Sequence, residues 1–208
     1  MCSSDLEGPT LLALLGDEKP VEGAAVSFAE RLQIAIQVAE ALDYAHRKGV
    51  VHRDIKPANI MITREPISGG FAAGGARDRV QAKIADFGIA KFVEVQGTIA
   101  GGVLGTPSFV SPEQLTGGAI DARSDIFSFG VVLYWMFTGE KPFKGDSFTA
   151  ITFQVMHGTP KPARELNFAL PEKLDAILAR CLAKNPQDRY ATAADLAADL
   201  RTIHQSGS

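Results

Sequence analysis

The sequence predicts a mainly helical α+β domain in which a small β-hairpin carries the polar loops. Three observations lead there. A capped amphipathic stretch runs from Ser27 to Gly49; an almost wholly apolar run occupies Ile126 to Gly139; and only two short segments, Ile60–Thr63 and Val80–Ala85, are rich in strand-forming residues. With 208 residues the chain can build one substantial core, since a chain of this size removes about 70% of its unfolded surface from water.

The elements follow in order. Ser27 and Glu30 have the spacing of a capping box. Phe28, Leu32, Ala35, Ile36, Ala39 and Leu42 then repeat at helical intervals, and Gly49 supplies the stop. The two strand segments are expected to pair as a hairpin. Between them Arg64 to Arg79, with Gly69, Gly70, Gly74 and Gly75, has little to pack, and residues 64–79 are expected to form a flexible insertion. Ser124 to Thr138 is apolar nearly all round, as a central buried helix is. Pro171 suits a helix start ahead of Leu174, Ile177, Leu178, Cys181 and Leu182. A last helix is expected from Thr192, with Asp195 three residues on and Leu196, Leu200 and Ile203 inward.

Composition excludes several classes. The chain is 46% hydrophobic and 22% charged with a net charge of −3, so no basic field for nucleic acid or an anionic membrane is expected. Two cysteines cannot staple a secreted scaffold, and a reducing, cytoplasmic setting is expected. The run Ile126–Gly139 falls short of the roughly 20 residues a membrane span needs. Met1 to Leu6 has neither a basic region nor an apolar signal core.

Two blocks carry chemistry. In His52-Arg53-Asp54-Ile55-Lys56-Pro57-Ala58-Asn59, Pro57 disfavours helical geometry at Lys56, so the polar side chains belong on an irregular loop before a strand. Such a loop can aim a carboxylate, an ammonium and an amide at one point. Asp86-Phe87-Gly88 directly follows the second strand, so a hairpin returns Asp86 towards Asn59. A carboxylate oxygen facing an amide oxygen suits Mg²⁺, which takes few protein ligands besides phosphate oxygens.

These blocks resemble the catalytic loop and metal-binding triplet of the eukaryotic-type (Hanks-type) serine/threonine protein kinases. Five fixed positions at about 5% frequency each recur by chance about once in three million starts. Further along, Gly105 to Glu113 resembles the end of a kinase activation segment, with Ser111 where alanine is usual. Asp121 to Gly130 resembles the start of the central helix of the large lobe, and Lys184 to Tyr190 the turn whose arginine pairs with the glutamate of that segment. The wording I-K-P-A-N and S-P-E-Q is similar to that of bacterial members. The resemblance implies a kinase C-terminal lobe over residues 7–204, with 86–113 as activation segment and 205–208 as a tail.

By the same resemblance, Asp54 orients the substrate hydroxyl and accepts its proton, while Lys56 sits against the transferring phosphate of ATP. Asn59 and Asp86 hold Mg²⁺, Met61 floors the adenine pocket and Thr10 lies by the ribose. Thr106 bridges the catalytic loop to the substrate segment, and Arg53 receives a phosphorylated activation-loop residue. Thr98, the sole hydroxyl between Ile89 and Gly105, is the phosphorylation candidate; a filler threonine explains it equally well. Phe87, Gly88, Glu113, Asp125 and Arg189 are supports: Glu113 and Arg189 as a buried ion pair, Asp125 as acceptor of catalytic-loop amides. His46, His157, His204 and Cys181 read as ordinary helix, loop or core residues. The implied partners are ATP and proteins bearing serine or threonine, with no nucleic acid and no membrane segment.

The sequence departs from the family in two ways. No two of its 20 glycines are two positions apart, so no G-x-G phosphate loop exists, and Lys19 in Asp-Glu-Lys-Pro is the sole lysine before Lys48. The N-terminal lobe is therefore expected to be missing, and Met1 to Leu6, which resemble a translated sequencing adapter, to be non-native. Truncation implies low activity of the chain alone, and apolar groups exposed where a small lobe would sit: Met61, Leu11 and Leu12. The 27-residue separation of Asn59 and Asp86 exceeds the family's habit, and the excess falls on the Gly/Ala-rich insertion. A non-catalytic, kinase-shaped binding module is the competing reading. Against it stands the presence of Asp54, Lys56, Asn59 and Asp86 together.

Overall fold

The computed structural model describes residues 8–15, 26–65, 79–86 and 107–206. Helix α1 (Leu11–Leu15) precedes the long α2 (Phe28–Arg47), strands β1 (Ile60–Glu65) and β2 (Arg79–Ile84), and six further helices. These are α3 (Pro112–Thr116), α4 (Ala122–Thr138), α5 (Phe148–His157), α6 (Ala163–Leu166), α7 (Glu172–Cys181) and α8 (Ala193–Ser206).

Helix α2 starts where its sequence says it should. Glu30 N donates to Ser27 Oγ at 3.2 Å, and Ser27 N donates back to Glu30 Oε2 at 2.8 Å. It ends before Gly49, whose φ of +75° favours a residue without a Cβ. Its stripe of Leu32, Ala35, Ala39 and Leu42 is buried, and so are Ile34 and Val38 on the adjoining flank. Helix α8 lies along it, tied by an Arg201–Glu40 ion pair. Phe28 stays partly exposed and packs its ring 5.5 Å from that of Phe137.

Helix α4 is the axis of the core. Every residue from Ser124 to Phe137 is buried, which explains its lack of a polar face. Asp121 caps it through Arg123 N, and Gly139 at φ +77° ends it. Helix α7 approaches it closely at Gly130, where a Cβ would lie 2.6 Å from Cys181 Cβ. Among the described residues no helix is long and apolar enough to cross a membrane.

The hairpin is antiparallel, pairing Ile60 with Ile84 and Glu65 with Arg79. Arg64, Glu65 and Arg79 therefore belong to the strands rather than to the expected insertion over 64–79. The ladder continues to the Glu65–Arg79 pair, and two of these side chains find partners: Gln81 donates to Glu65 and Arg64 pairs with Glu30. Residues 66–78 lie outside the described residues. Gln37 of α2 extends the hydrogen bonding at the free edge of β2, donating to Val80 O at 3.0 Å and accepting from Ala82 N at 2.8 Å. On the other edge Thr10 bridges Met61, and Ile62 N donates to Pro9 O.

That second edge corrects one expectation. Leu11 is not exposed; α1 folds it against the core at 1% accessibility, and Leu12 and Met61 are half-buried. The chain before the hairpin covers the edge through Thr10 and Pro9. Helices α1, α3, α5 and α6 were not legible as periodic stripes, because they are short and bury few residues; α5 buries Val155 alone.

Candidate active site

The loop before β1 is built around Asp125, a wholly buried carboxylate in the first turn of α4. Its Oδ2 accepts His52 N and its Oδ1 accepts Arg53 N, both at 2.7 Å. A third donor comes from α2, with His46 Nε2 2.8 Å from Oδ2. Beside a carboxylate that nitrogen must carry the proton, leaving Nδ1 buried without a hydrogen-bond partner. Charge-assisted donors on both oxygens are what make a buried carboxylate tolerable.

Downstream, the polar groups converge on Asp54. Lys56 Nζ lies 3.1 and 2.9 Å from the two Asp54 carboxylate oxygens. Asn59 Nδ2 donates to Asp54 O at 2.8 Å and to Asp54 Oδ2 at 3.1 Å. Pro57 opens the 3₁₀ turn Pro57–Asn59 that brings Asn59 back over Asp54. The hairpin ties this loop to the other block: Ala85 N donates to Asn59 O at 2.9 Å, and His52 Nε2 lies 3.1 Å from Ala85 O. Asp86 is the next residue and exposed.

Arg53 and Asp86 have φ of +68° and +55°, the two positive values outside glycine among the described residues. Such conformations cost about 1–3 kcal/mol each and persist where surrounding contacts over-determine them. They fall one in each chemical block.

Asn59 offers a fit for a hard cation. Its amide nitrogen is committed to Asp54, which leaves Oδ1 as the oxygen for a ligand, and its carbonyl is bonded to Ala85, the residue before Asp86. Among the described residues no group of three or more His, Cys, Asp or Glu gathers to hold a metal. One amide oxygen and one carboxylate could hold Mg²⁺ together with phosphate oxygens, since that ion takes few protein ligands.

Met61 on β1 forms an antiparallel bridge with Thr10, whose Oγ1 accepts Ala13 N at 3.2 Å and caps α1. Glu113 and Arg189 form a bidentate pair at 2.8 and 2.9 Å, with Arg189 side chain wholly buried. Burial opposes the Glu113 carboxylate, but hydrogen bonds from Arg189 and Ser124 outweigh it and hold its carboxyl below the usual range. Arg189 also donates to the carbonyls of Ala183, Lys184 and Arg123. Phe87, Gly88, Thr98 and Thr106 lie outside the described residues.

Sequence reasoning missed two partners of this site. His46 read as an ordinary helix histidine, yet it extends the Leu42 stripe by one turn, and a polar residue on a buried stripe is the signal that could have found it. Gln114 donates from Nε2 to Arg53 O at 2.9 Å, a contact across 61 residues that nothing in the sequence announces.

Comparison with known proteins agrees with this geometry. The protein kinase domain family matches residues 10–200. The serine/threonine-protein kinase PknB of Mycobacterium tuberculosis is 38% identical over 202 residues, covering 96% of this chain and 29% of that protein. A probable serine/threonine-protein kinase PknB of Bifidobacterium longum is 40% identical over 186 residues, 88% of this chain and 25% of the relative. The crystal structure of the M. tuberculosis PknI kinase domain superposes with a TM-score of 0.64 at 28% identity, covering 95% of this chain and 63% of that one. The Rad53 kinase domain, solved in complex with AMPPNP, gives 0.68 at 25% identity, over 93% and 65%. The chain thus spans under a third of the length of these curated relatives and under two thirds of the solved domains. The kinase-like α+β fold and the match over most of the sequence agree: the chain belongs to the protein kinase family.

Proposed function

We propose that this chain is the large lobe of a serine/threonine protein kinase that transfers the γ-phosphoryl group of ATP to hydroxyls of proteins. The observation that carries the proposal is the convergence of Lys56 and Asn59 on Asp54, with Asn59 bonded to the residue before Asp86. Asp54 Oδ is the proton acceptor for the substrate hydroxyl, a contribution of about 10²–10⁴ in rate. Lys56, which here bridges both Asp54 oxygens, is the cation assigned to the transferring phosphoryl group, and its place two residues after the aspartate suits serine and threonine. Asn59 and Asp86 would hold Mg²⁺, which supplies neutralisation of phosphate charge when bound. Asn59 also keeps Asp54 aimed, since its nitrogen holds the aspartate, and its amide oxygen would be the atom offered to the ion.

Met61 and Thr10, adjacent across one bridge, form the nucleotide floor and ribose edge of the proposal. Arg53, Thr98 and Thr106 belong to its regulatory and substrate segment. A cytoplasmic setting fits the need for ATP and the two cysteines. Because the sequence carries no G-x-G loop, phosphate clamping requires a small lobe, and transfer by these 208 residues alone is expected to be low. Calorimetric titration of ATP into the chain joined to a kinase small lobe tests the reading. Binding that requires Mg²⁺ and is lost in Asp86→Ala is expected; binding indifferent to both contradicts it.

A further inference from the structure

Arg53 stands directly before Asp54, and its peptide groups are gripped from two sides. Its N–H is held by Asp125 of α4. Its carbonyl is held by Gln114 of α3, the helix that closes the segment carrying Ser111, Pro112 and Glu113. We propose that Gln114 is a positioning residue, coupling the end of that segment to the orientation of Asp54. The proposal rests on the reading of Asp54 as proton acceptor.

The hydrogen-bond chemistry of Gln114 leaves no choice of orientation. Its Oε1 accepts from Ser111 N at 3.0 Å and from Ser111 Oγ at 2.9 Å, so the other end of the amide must be the nitrogen. That nitrogen faces a carbonyl, Arg53 O, which can only accept. One side chain therefore binds the helix cap with its oxygen and the catalytic loop with its nitrogen. The loop end of the link is a residue at φ +68°, directly before Asp54. A left-handed arginine is disfavoured unless contacts hold it, so releasing one grip lets this peptide relax and re-aims the carboxylate that follows. Movement of α3 is transmitted the same way, because Ser111 and Arg53 share one rigid amide.

Glutamate at this position separates the two functions. Gln114→Glu keeps an oxygen for Ser111 and suits a helix first turn, so the cap survives. It has no N–H, and it sets an acceptor against the Arg53 carbonyl. Gln114→Met removes both the cap acceptor and the loop donor while preserving the length of the stem.

Amide hydrogen exchange on the 208-residue chain, read by mass spectrometry, distinguishes these cases without depending on catalysis. The expected result is exchange about five- to tenfold faster at Arg53 and Asp54 in both variants, the scale of one lost hydrogen bond. Residues 112–118 are expected to exchange faster in Gln114→Met only. Wild-type exchange at Arg53 and Asp54 in Gln114→Glu overturns the proposal, as does faster exchange confined to α3 in Gln114→Met. In the chain joined to a small lobe, kcat is expected to fall severalfold in Gln114→Glu with the KM for ATP unchanged, a split that loss of a cap alone does not produce. Absence of transfer from the unsubstituted chain joined to a small lobe would count against the kinase reading, while exchange at Arg53 and Asp54 still decides whether Gln114 holds the loop.

Discussion

At Glu113 and Arg189 a buried charge pair is satisfied on every side, and that makes removal of one partner costly. Arg189→Ala leaves the Glu113 carboxylate buried with Ser124 as its remaining side-chain donor, and unfolding free energy in urea should fall by about 3–5 kcal/mol. The pH dependence has a definite sign. Glu113 has a depressed folded-state pKa, so its contribution is present above the unfolded carboxyl pKa and is lost as pH falls through the lower folded value. Acid titration of stability should therefore show a loss below about pH 4 that Glu113→Gln removes. Gly130 gives a second residue-level test. Alanine would favour the helix by about 1 kcal/mol, but its Cβ would lie 2.6 Å from Cys181 Cβ and 3.3 Å from Leu182 Cδ2. Cys181 Cβ is fixed to α7 backbone and cannot swing away, so overpacking of about 1–3 kcal/mol should win and the melting temperature should fall.

At the scale of elements, the C-terminal end of α7 and the turn after it collect three groups whose titration is moved by burial. Burial raises the Cys181 thiol to about 12, and burial, with the Arg189 charge, lowers the Lys184 ammonium to about 8. Burial and the hydrogen bond to Asp199 raise the Tyr190 hydroxyl. Lys184 is also held in place, donating to Gln154 O and Val155 O at the end of α5 with its ammonium 3.8 Å from the Phe143 ring centroid. Between about pH 8 and 10.5 the unfolded chain keeps the lysine proton that the folded chain has lost, so this group makes stability rise with pH. Above about pH 8.5 the thiol works in the opposite direction, because only the unfolded chain ionises it. The two should nearly cancel between pH 8.5 and 10, with stability falling beyond that as Tyr190 joins. Chemical denaturation across this range should show a rise in Cys181→Ala and a fall in Lys184→Met; parallel curves for both variants would contradict the assignment.

The same elements show what a sequence makes legible. Helices α2, α4, α7 and α8 announce themselves because each buries a continuous stripe, or in α4 the whole surface, and caps such as Ser27 and Gly139 mark their ends. Asp54, Lys56, Asn59 and Asp86 stand out because their chemistry depends on a fixed local order. Gln114 and His46 are silent by comparison, since their partners lie 61 and 79 residues away and are chosen by packing. Leu11 misled for a related reason: its cover comes from the fold of α1 against the hairpin, which no local pattern records.

For the molecule as a whole, the proposed catalytic loop, residues 52–59, is an irregular segment held from outside by its neighbours. Helix α2 contributes His46, α3 contributes Gln114, α4 contributes Asp125, and the hairpin supplies the bond between Ala85 and Asn59. Asp54 stands at the centre of these supports, and its proposed role is to take the substrate's proton. The most direct measurement is transfer of labelled γ-phosphoryl from Mg-ATP to a serine- and threonine-bearing protein by the chain joined to a small lobe, compared with its Asp54→Asn variant. The expected result is label on serine and threonine that drops by about 10²–10⁴ in the variant while its unfolding midpoint stays close to that of the parent. Transfer that survives in folded Asp54→Asn, or a joined chain that binds Mg-ATP and transfers nothing, would contradict it.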